Sequence, residues 1–442
     1  MKNGFIKKYN QNDSLLVISG YPKKNQTYSQ GVCAVSSFTK NTLIALQIEN
    51  PLRKIVVFAP IINKNEIYEE DGMLIVRCFK RNAPLSYLGL LKNIIYFNRV
   101  KNVLLEFEFA SFGNTFMTSL LAPLAWIMFL NRKYLTIVVH QVVSDMGNLS
   151  GHIGISRKTL KMKLLNLSLE LFYAFLTLPA KKVVVLEEEF KNKLSKVTNK
   201  NKITVIPHGI DTKIQKINKE KARKELKINN EDLVILYFGY LTWYKGVDFL
   251  IRSLKDVNTI NGKRIKIIIA GGPSFTQKEK AHYLKFISKV NSLIKKSTNI
   301  IATGFVEEKD IPTIFSAADL AILPYRAFMS SSGPLSLAIS YAKPFIISDK
   351  LEGITHSLDF EKALELAKID EKQIIFKLDK TNLVKTIKMS MDPKIKRKMI
   401  LLSKALKEAR SFNNIAKDYD VILSKDNIEA KNEIYKLIPA NN

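Results

Sequence analysis

Short apolar runs rich in β-branched residues recur along the whole chain, and longer stretches with helical spacing separate them. Such runs are typical of strands buried on both faces, and helices between them indicate parallel β-α-β units. In the first half we predict strands at 15–19, 54–58, 74–77, 103–107, 135–140, 183–186 and 203–206. In the second half we predict strands at 233–238, 265–270, 300–303, 320–323 and 344–347.

Two consecutive sets of these units favour two doubly wound domains over one closed barrel. A barrel takes about 250 residues in one series, whereas the charged segment 207–233 interrupts the series here. We expect an α/β fold with two Rossmann-like domains, 1–206 and 207–405, that face a cleft. The amphipathic helices of 406–442 are expected to cross back toward the first domain. Because open α/β sheets bind ligands at the carboxyl ends of their strands, the cleft could join a donor to an acceptor.

The composition is that of a globular protein, with 46% hydrophobic residues, 18 glycines and 14 prolines among 442 residues. A formal net charge of +29 favours an anionic partner such as nucleic acid, anionic lipid or a phosphorylated ligand. A solvated, lysine-rich surface is the alternative. Since no basic-aromatic repeat, zinc spacing or helix-turn-helix pattern accompanies the charge, we expect no nucleic-acid partner.

The two cysteines, Cys33 and Cys78, have no metal-binding spacing and lie among apolar residues. This favours buried, reduced thiols and a cytoplasmic location. The polar start of the chain and the short apolar run after it do not fit a signal peptide.

One uncharged segment, 109–131, is a candidate for a membrane span. Its apolar core, Phe116–Leu130, contains Pro123 and is shorter than the ~20 residues that a span needs, which favours a buried or interface-dipping helix. Segments 84–101 and 156–178 combine basic residues with apolar helical positions. This pattern favours peripheral attachment to the cytoplasmic face of an anionic membrane, and packing on the first domain's own sheet is the alternative.

The segment Val234–Leu254 has the pattern of a strand, a glycine turn and a helix. Gly239 suits a sharp turn at the strand end, and Lys245 and Gly246 open the next helix, whose N-terminus favours negative charge. A lysine at that end reinforces anion binding, although an ordinary solvated lysine is the alternative. A second strand, Ile267–Gly272, also leaves through glycine.

A further anion site is indicated by the loop "PYRAFMSSSGP", which follows an apolar strand and precedes an apolar helix. Ser331, Ser332 and Gly333 can direct consecutive backbone N–H groups at a phosphate. Pro334 suits the first helical turn, since it has no N–H group. A serine-rich cap without a ligand is the alternative.

Taken in order, these elements resemble the second half of the retaining GT-B glycosyltransferases of family 4. The resemblance rests on "VIPHGID", "YFGYLTWYKGVDFLIRSL", "IIIAGG", "TGFVEEKDIPTIFSAADLAILPY" and "SSGPLSLAISYAKPFIIS". The first half is similar more loosely, through "SQGVCAVSSF", "TIVVHQ" and "VVVLEEEF", and "SFNNIAKDYDVIL" resembles the closing helix.

The resemblance implies a fold and the roles of individual residues. The fold is GT-B, with a C-terminal helix that crosses back. The implied donor site consists of Gly239, Tyr240, Lys245, Gly272, Phe305, Val306, Arg326, Ser331, Ser332, Gly333, Pro334 and Ser336. In it, Lys245 contacts a diphosphate, Ser331–Gly333 hold the distal phosphate, and Phe305–Val306 line the base pocket. The implied acceptor side consists of Gly31, Glu106, Glu108 and His140. Of all these, we expect His140, Lys245 and Arg326 to act in catalysis.

The sequence departs from the family pattern at two places. Two glutamates that usually flank the phosphate loop are replaced by Met329 and Leu337, which leaves the ribose contact open and makes Ser336 a candidate substitute. An arginine that usually follows the first glycine is Tyr240 here. We expect Arg326, at the entrance of the loop, to restore that positive charge.

The resemblance implies a retaining hexosyltransferase without a metal ion or other cofactor. We expect a nucleotide-sugar donor, with UDP-hexose favoured, and a saccharide or lipid-linked oligosaccharide acceptor. A GDP-mannose-dependent enzyme and a non-catalytic GT-B subunit remain alternatives. A nicotinamide-dependent dehydrogenase is disfavoured because the first strand is not followed by G-x-G-x-x-G. His140 alone also fits a structural hydrogen-bonder, and Glu106 and Glu108 alternate on a strand and so share a face.

Overall fold

The computed structural model describes residues 3–28, 32–33, 35–109 and 111–424. The strands of the first domain are β1 Leu15–Ile18, β2 Ile55–Pro60, β3 Glu66–Glu70, β4 Met73–Phe79, β5 Asn102–Phe107, β6 Tyr134–Val139, β7 Lys182–Val185 and β8 Ile203–Val205. Its helices are α1 Asn3–Tyr9, α2 Val35–Glu49, α3 Ser86–Tyr96, α4 Thr115–Ser119, α5 Leu121–Leu130, α6 Ser150–Ile153, α7 Leu160–Thr177 and α8 Glu188–Leu194.

The second half contains another set of alternating elements. Its strands are β9 Leu233–Phe238, β10 Thr259–Ile260, β11 Lys263–Ala270, β12 Ile300–Gly304, β13 Leu320–Leu323, β14 Phe345–Ser348 and β15 Ile375–Phe376. Its helices are α9 Lys219–Glu225, α10 Val247–Leu254, α11 Ala281–Lys295, α12 Ile311–Ala317, α13 Gly333–Ser340, α14 Leu358–Ala367, α15 Lys380–Ser390, α16 Pro393–Ala409 and α17 Phe412–Leu423.

Each half forms one sheet whose central strands are parallel. The first sheet has the order β3-β4-β2-β1-β5-β6-β7-β8, and in the second the path β10-β11-β9-β13-β14-β15 is joined by β12, which pairs with β11. In both sheets the chain starts at a central strand, winds to one side and returns to the other. The direction reverses between β1 and β5 and between β9 and β13, the places where doubly wound sheets bind ligands.

Every strand predicted from the sequence is present, with ends that differ by at most two residues. The sequence missed β3, β10 and β15. Strand β3 pairs antiparallel with β4 through a turn in which Asp71 and Gly72 have φ of 51° and 77°. Its polar residues suit an edge strand, and the Asp-Gly pair was the hairpin signal that the sequence carried.

The last described helix, α17, crosses back onto the first domain, as expected. Its buried residues Ile415, Ala416, Tyr419 and Leu423 join an apolar cluster with residues of the first sheet and of α2. The Arg53 guanidinium lies 2.7 Å from the Asp420 carboxylate. Residues 425–442 of the expected C-terminal region lie outside the described residues.

The uncharged segment forms two short helices, α4 and α5, with Pro123 in the first turn of α5. None of the helices in the described ranges is both long enough and apolar enough to cross a bilayer. Cys33 is buried, Cys78 is half-buried, and both are free thiols.

Candidate active site between the two domains

The N-terminus of α13 forms one wall of the cleft. The Ser332 side chain caps the helix by accepting a hydrogen bond from the Leu335 amide at 3.2 Å, and its hydroxyl lies 3.0 Å from that of Tyr325. Pro334 has no N–H group. The Gly333 amide lies in the first turn of α13, where backbone N–H groups have no acceptor within the helix. The Gly333 amide therefore remains available to an anion at the positive end of the helix.

Lys245 lies directly against this helix end. It closes a 3-10 turn, Trp243–Lys245, that follows the strand end at Gly239, where φ is 119°. A Cβ atom built on Gly239 would lie 2.9 Å from the Lys245 Nζ and 3.1 Å from Pro334 Cγ. Glycine thus leaves the space in which the ammonium meets the end of α13.

The Lys245 ammonium has no carboxylate within ion-pair distance in the part of the chain that the structure describes. Burial lowers its pKa to about 8. A half-buried cation beside a positive helix end is unfavourable unless a negative group joins them. The arrangement therefore has the charge and the shape of an anion site.

Arg326 is placed differently from what the sequence led us to expect. Its guanidinium forms two hydrogen bonds to the Asp248 carboxylate, at 2.7 and 3.0 Å, and one to the Trp243 carbonyl oxygen at 2.6 Å. The Arg326 guanidinium is thus bound in this structure, but it shares the Asp248 carboxylate with Arg252, so its contact with a diphosphate stays a prediction. Arg326 also fixes the turn that carries Lys245.

Three half-buried aromatic rings lie at the carboxyl ends of neighbouring strands in the second domain. The Tyr240 ring centroid lies 6.0 Å from that of Phe275 and 6.4 Å from that of Phe305. A Cβ atom on Gly272 would come within 3.1 Å of the Phe305 amide nitrogen, so the chain passes closely here. Val306 is partly buried against the domain core. The rings are tilted against one another, by 59° and 34°, and such an aromatic group offers a surface for a planar base.

In the first domain, the carboxyl ends of β5 and β6 bring Glu106 and His140 together. Their Oε2 and Nε2 atoms lie 2.6 Å apart, and the Phe38 ring packs edge-on against the imidazole at 4.8 Å. Glu106 has no solvent exposure. The expectation that Glu106 faces an acceptor is therefore wrong, since its carboxylate faces His140.

Glu108 lies just beyond the end of β5 and is half-buried. Its carboxylate accepts hydrogen bonds from the Ser111 hydroxyl at 2.7 Å and from the Gln141 amide at 3.4 Å. Gly31, the fourth residue expected on the acceptor side, lies outside the described residues.

The phosphate loop contacts the first domain directly. Gln141 forms an isolated antiparallel bridge with Ser330, and the Ser331 hydroxyl donates a hydrogen bond to Glu187 Oε1 at 2.7 Å. The Ser336 hydroxyl lies 3.1 Å from His208 Nδ1. The sequence did not predict this contact. To bind a ribose, the Ser336 hydroxyl would have to give up its contact with His208.

Two partners of the loop and of α13, Glu187 and His208, have shifted pKa values because they are buried. Burial raises the pKa of Glu187 to about 7 and lowers the pKa of His208 to about 4. Sequence reasoning missed both residues, although Glu187 directly follows a predicted strand and His208 comes two residues after another. Their position at the carboxyl ends of β7 and β8 was the signal that could have identified them.

Comparison with known proteins finds a family match in the second domain. Residues 218–376 match the family "Glycosyl transferases group 1". The matched residues include Lys245, the aromatic rings and the phosphate loop, whereas the first-domain side of the cleft lies outside the match.

Two relatives are glycosyltransferases whose names include a lipopolysaccharide and a glycolipid. The lipopolysaccharide 1,2-N-acetylglucosaminetransferase of Salmonella typhimurium is 28% identical over 35% of this chain and 42% of its own length. The GDP-mannose:glycolipid 4-beta-D-mannosyltransferase of Xanthomonas campestris pv. campestris is 32% identical over 25% of this chain and 29% of its own length. The chain thus matches less than half the length of each.

Solved structures confirm the fold over nearly the whole chain. Sucrose-phosphate synthase from Thermosynechococcus elongatus superposes with a TM-score of 0.66 at 14% identity, over 96% of this chain and 99% of the other. HepE of Anabaena, in complex with UDP and glucose, superposes with a TM-score of 0.61 at 15% identity, over 93% and 99%. The fold is GT-B, as the sequence resemblance implied.

Proposed function

We propose that the protein is a glycosyltransferase that moves a hexose from a nucleotide-diphosphate sugar to a saccharide acceptor. The observation that carries the proposal is the Lys245 ammonium beside the N-terminus of α13, which has no carboxylate partner among the described residues. A diphosphate supplies the negative charge that this pair lacks. The rings of Tyr240, Phe275 and Phe305 lie in the same domain and suit the base of the nucleotide.

In the proposed reaction, the bond between the sugar's anomeric carbon and the diphosphate oxygen breaks, and that oxygen keeps the electron pair. The Lys245 ammonium and the Gly333 amide stabilise the negative charge as it develops. The acceptor hydroxyl forms the new bond from the side of the leaving group, and a phosphate oxygen takes its proton, which retains the anomeric configuration.

The hydrogen-bonding state of the nearby carboxylates favours this route over a covalent intermediate. Glu106 is bonded to His140, Glu108 to Ser111 and Gln141, and Glu187 to Ser331. None of these carboxylates is poised as a free nucleophile. Because the lysine and the amide supply positive charge, we propose that transfer proceeds without a metal ion, and EDTA should leave the rate unchanged.

UDP-hexose is the donor that we favour. HepE, which has the same fold, was solved with UDP and glucose. A GDP-mannose donor is the second candidate, because a relative of the second domain carries that nucleotide sugar in its name. The three aromatic rings supply a stacking surface that suits uracil and guanine alike. The identity of the donor therefore has to be measured.

The exposed apolar side chains of α3, α4, α5 and α7, here named the apolar face of the first domain, support a lipid-linked acceptor. Helix α3 contacts α4 through the Tyr87 hydroxyl and the Met117 carbonyl oxygen at 3.2 Å, and α5 contacts α7 through the Trp126 indole and the Phe175 carbonyl oxygen at 3.1 Å. Large apolar side chains on this face are exposed: Leu88, Ile95, Phe116, Phe129, Leu130, Leu160, Leu164, Leu167, Leu171, Phe175 and Leu178.

Basic residues continue the apolar stripe of α7 at its N-terminal end. Arg157, Lys158, Lys161 and Lys163 precede or begin the helix. An apolar stripe beside cationic residues fits the boundary between the headgroups and acyl chains of an anionic bilayer. We therefore propose peripheral docking of this face on such a membrane, with the acceptor presented by a lipid.

Incubation with UDP-glucose and with GDP-mannose, followed by detection of the released nucleotide and of the product anomer by NMR, tests the activity. Slow donor hydrolysis above background, abolished in Lys245→Ala, is the expected minimum even without the true acceptor. If neither donor is consumed, with or without lipid-linked saccharide acceptors, the result would favour the alternative that the protein is a non-catalytic GT-B subunit.

Docking is tested by co-sedimentation with vesicles of anionic or of zwitterionic lipid. We expect binding to anionic vesicles that falls at high salt and falls at least tenfold in Leu164→Gln/Leu171→Gln. The control is Leu366→Gln/Leu401→Gln, two leucines of the second domain that are also more than half exposed. Equal binding of the two double variants would contradict the assignment of the face.

A further inference from the structure

Glu106 and His140 form a closed pair beneath the cleft. The His140 backbone amide donates to the Phe107 carbonyl oxygen at 3.0 Å, so the ends of β5 and β6 hold the two side chains in register. Glu106 Oε2 lies 2.6 Å from His140 Nε2. Glu106 is fully buried and His140 is 5% exposed. Water therefore does not compete for this contact.

The second ring nitrogen of His140 is in a different situation. Within the described ranges, Nδ1 has no hydrogen-bond partner. Unlike the buried unpartnered side-chain atoms, it keeps some exposure to solvent. Nδ1 is therefore the ring atom that a ligand in the cleft can reach.

We propose that Glu106 is a positioning residue that holds His140 in the neutral tautomer with its proton on Nε2. An ionised carboxylate is only an acceptor, so the nitrogen that faces it has to carry hydrogen. In a neutral imidazole the other nitrogen then presents a lone pair. His140 Nδ1 accordingly accepts a hydrogen bond from a group bound in the cleft. That such a group binds there rests on the proposed function, whereas the tautomer does not.

The surroundings of Glu106 leave the histidine as its main polar contact. Its other oxygen, Oε1, is buried without a protein partner in the described part of the chain. The carboxylate also acts on the phenol of Tyr419, on the helix that crosses back: burial first and Glu106 second hold the pKa of Tyr419 well above its usual range. The carboxylate therefore gains its one direct hydrogen bond from the imidazole.

The first test is spectroscopic and needs no substrate. Long-range proton–nitrogen correlation spectra of protein labelled with ¹⁵N-histidine, at pH 8, report which ring nitrogens carry protons; His140→Gln assigns the signal among the five histidines. We expect a protonated Nε2 and an unprotonated Nδ1. A proton on Nδ1, alone or together with one on Nε2, would overturn the proposal.

Two substitutions of Glu106 separate positioning from packing. Glu106→Gln keeps an acceptor of the same shape, so the tautomer should persist and kcat should stay within about threefold. Glu106→Leu buries the Nε2 proton without a partner, which shifts the proton toward Nδ1 and lowers kcat about tenfold, the equivalent of one hydrogen bond. If Glu106→Leu does not fold, the wild-type spectrum and Glu106→Gln still decide the question.

The control is Asp319→Asn in the second domain. Asp319 is also a buried carboxylate, bonded to Arg223 at 2.7 Å. Its substitution should lower the melting temperature without moving the His140 signals or kcat. If Glu106→Leu and Asp319→Asn changed kcat equally for equal losses of stability, the positioning role would be refuted. Absence of nucleotide binding alongside the expected tautomer would refute the proposed function and leave the pair intact.

Discussion

Gly239 and Lys245 are adjacent in space because the chain folds back at the end of β9. A Cβ atom on Gly239 would lie 2.9 Å from the Lys245 ammonium, and the glycine has a φ of 119°. The strand end, the lysine and the start of α13 thus meet at one point. The donor proposal depends on this meeting point.

Gly239→Ala should damage the site in two ways. The φ of 119° costs a residue with a side chain about 1–3 kcal/mol of stability, and the methyl group displaces the Lys245 ammonium. We expect a lower melting temperature and at least a tenfold weaker affinity for the nucleoside diphosphate. Gly262→Ala is the matched control, because Gly262 has a φ of 76° but nothing lies within 4 Å of its Cβ position. Equal losses of affinity in both variants would show that strain alone is responsible.

Arg326 and Asp248 should act as one unit on the donor. If the guanidinium only fixes the turn that carries Lys245, then Arg326→Ala and Asp248→Asn should weaken nucleotide binding by similar factors. The double variant should lose less than the sum of the two single losses, since the two residues share an interaction, while Arg326 also bonds Trp243 and Asp248 also bonds Arg252. A direct phosphate contact by Arg326 predicts the opposite for Asp248→Asn, because the freed guanidinium would bind the nucleotide more tightly. Calorimetric titration of the three variants distinguishes these cases.

Nucleotide binding should weaken as the pH rises through the pKa of Lys245. Burial lowers that pKa from 10.5 to about 8 in the free protein, and an anionic ligand favours the ammonium form. The protein should therefore take up a proton on binding at pH 8–9, visible as a dependence of the calorimetric enthalpy on the buffer. Lys245→Met should bind weakly and without proton uptake. A pH-independent affinity between pH 7 and 10 would contradict this account of the lysine.

Glu187 should make the protein less stable as the pH rises from 5 to 8. Its pKa is raised from 4.5 to about 7 by burial, so the folded state binds a proton that the unfolded state has lost. The stability from that proton is complete below pH 4.5 and disappears as the pH passes 7.

Glu187→Gln keeps an acceptor for the Ser331 hydroxyl and removes the titration. We expect this variant to melt at a higher temperature than the wild type at pH 8, by the equivalent of up to ~3 kcal/mol, and to show a smaller difference at pH 5. Glu188→Gln, a substitution at the first residue of α8, is the control and should behave like the wild type. A Glu187→Gln variant that loses stability at pH 8 would refute this explanation.

The sequence predicted the central strands well because strands buried on both faces carry continuous apolar runs. It missed β3 because an edge strand needs no apolar face, and its glutamates resemble a loop. It placed α13 and its Pro334 correctly because helix starts have local signals.

The sequence could not reveal contacts that depend on strand order. Glu106 and His140 are 34 positions apart and meet only because β5 and β6 are neighbours. Asp248 lies 78 positions before Arg326, so the neutralising partner of that guanidinium was invisible in the pattern of the loop. The contact of Ser336 with His208 joins α13 to the domain junction across 128 positions, which no local motif encodes.

The most direct measurement of the central claim is a thermal-shift panel with UDP, GDP, ADP and NAD on the wild type and on Lys245→Met. We predict that one nucleoside diphosphate raises the melting temperature of the wild type, in proportion to the logarithm of its concentration above the Kd, and that the shift is lost in Lys245→Met. Stabilisation of the wild type by NAD alone, or an equal shift in both proteins, would contradict the claim that a nucleotide diphosphate binds at Lys245 and the end of α13.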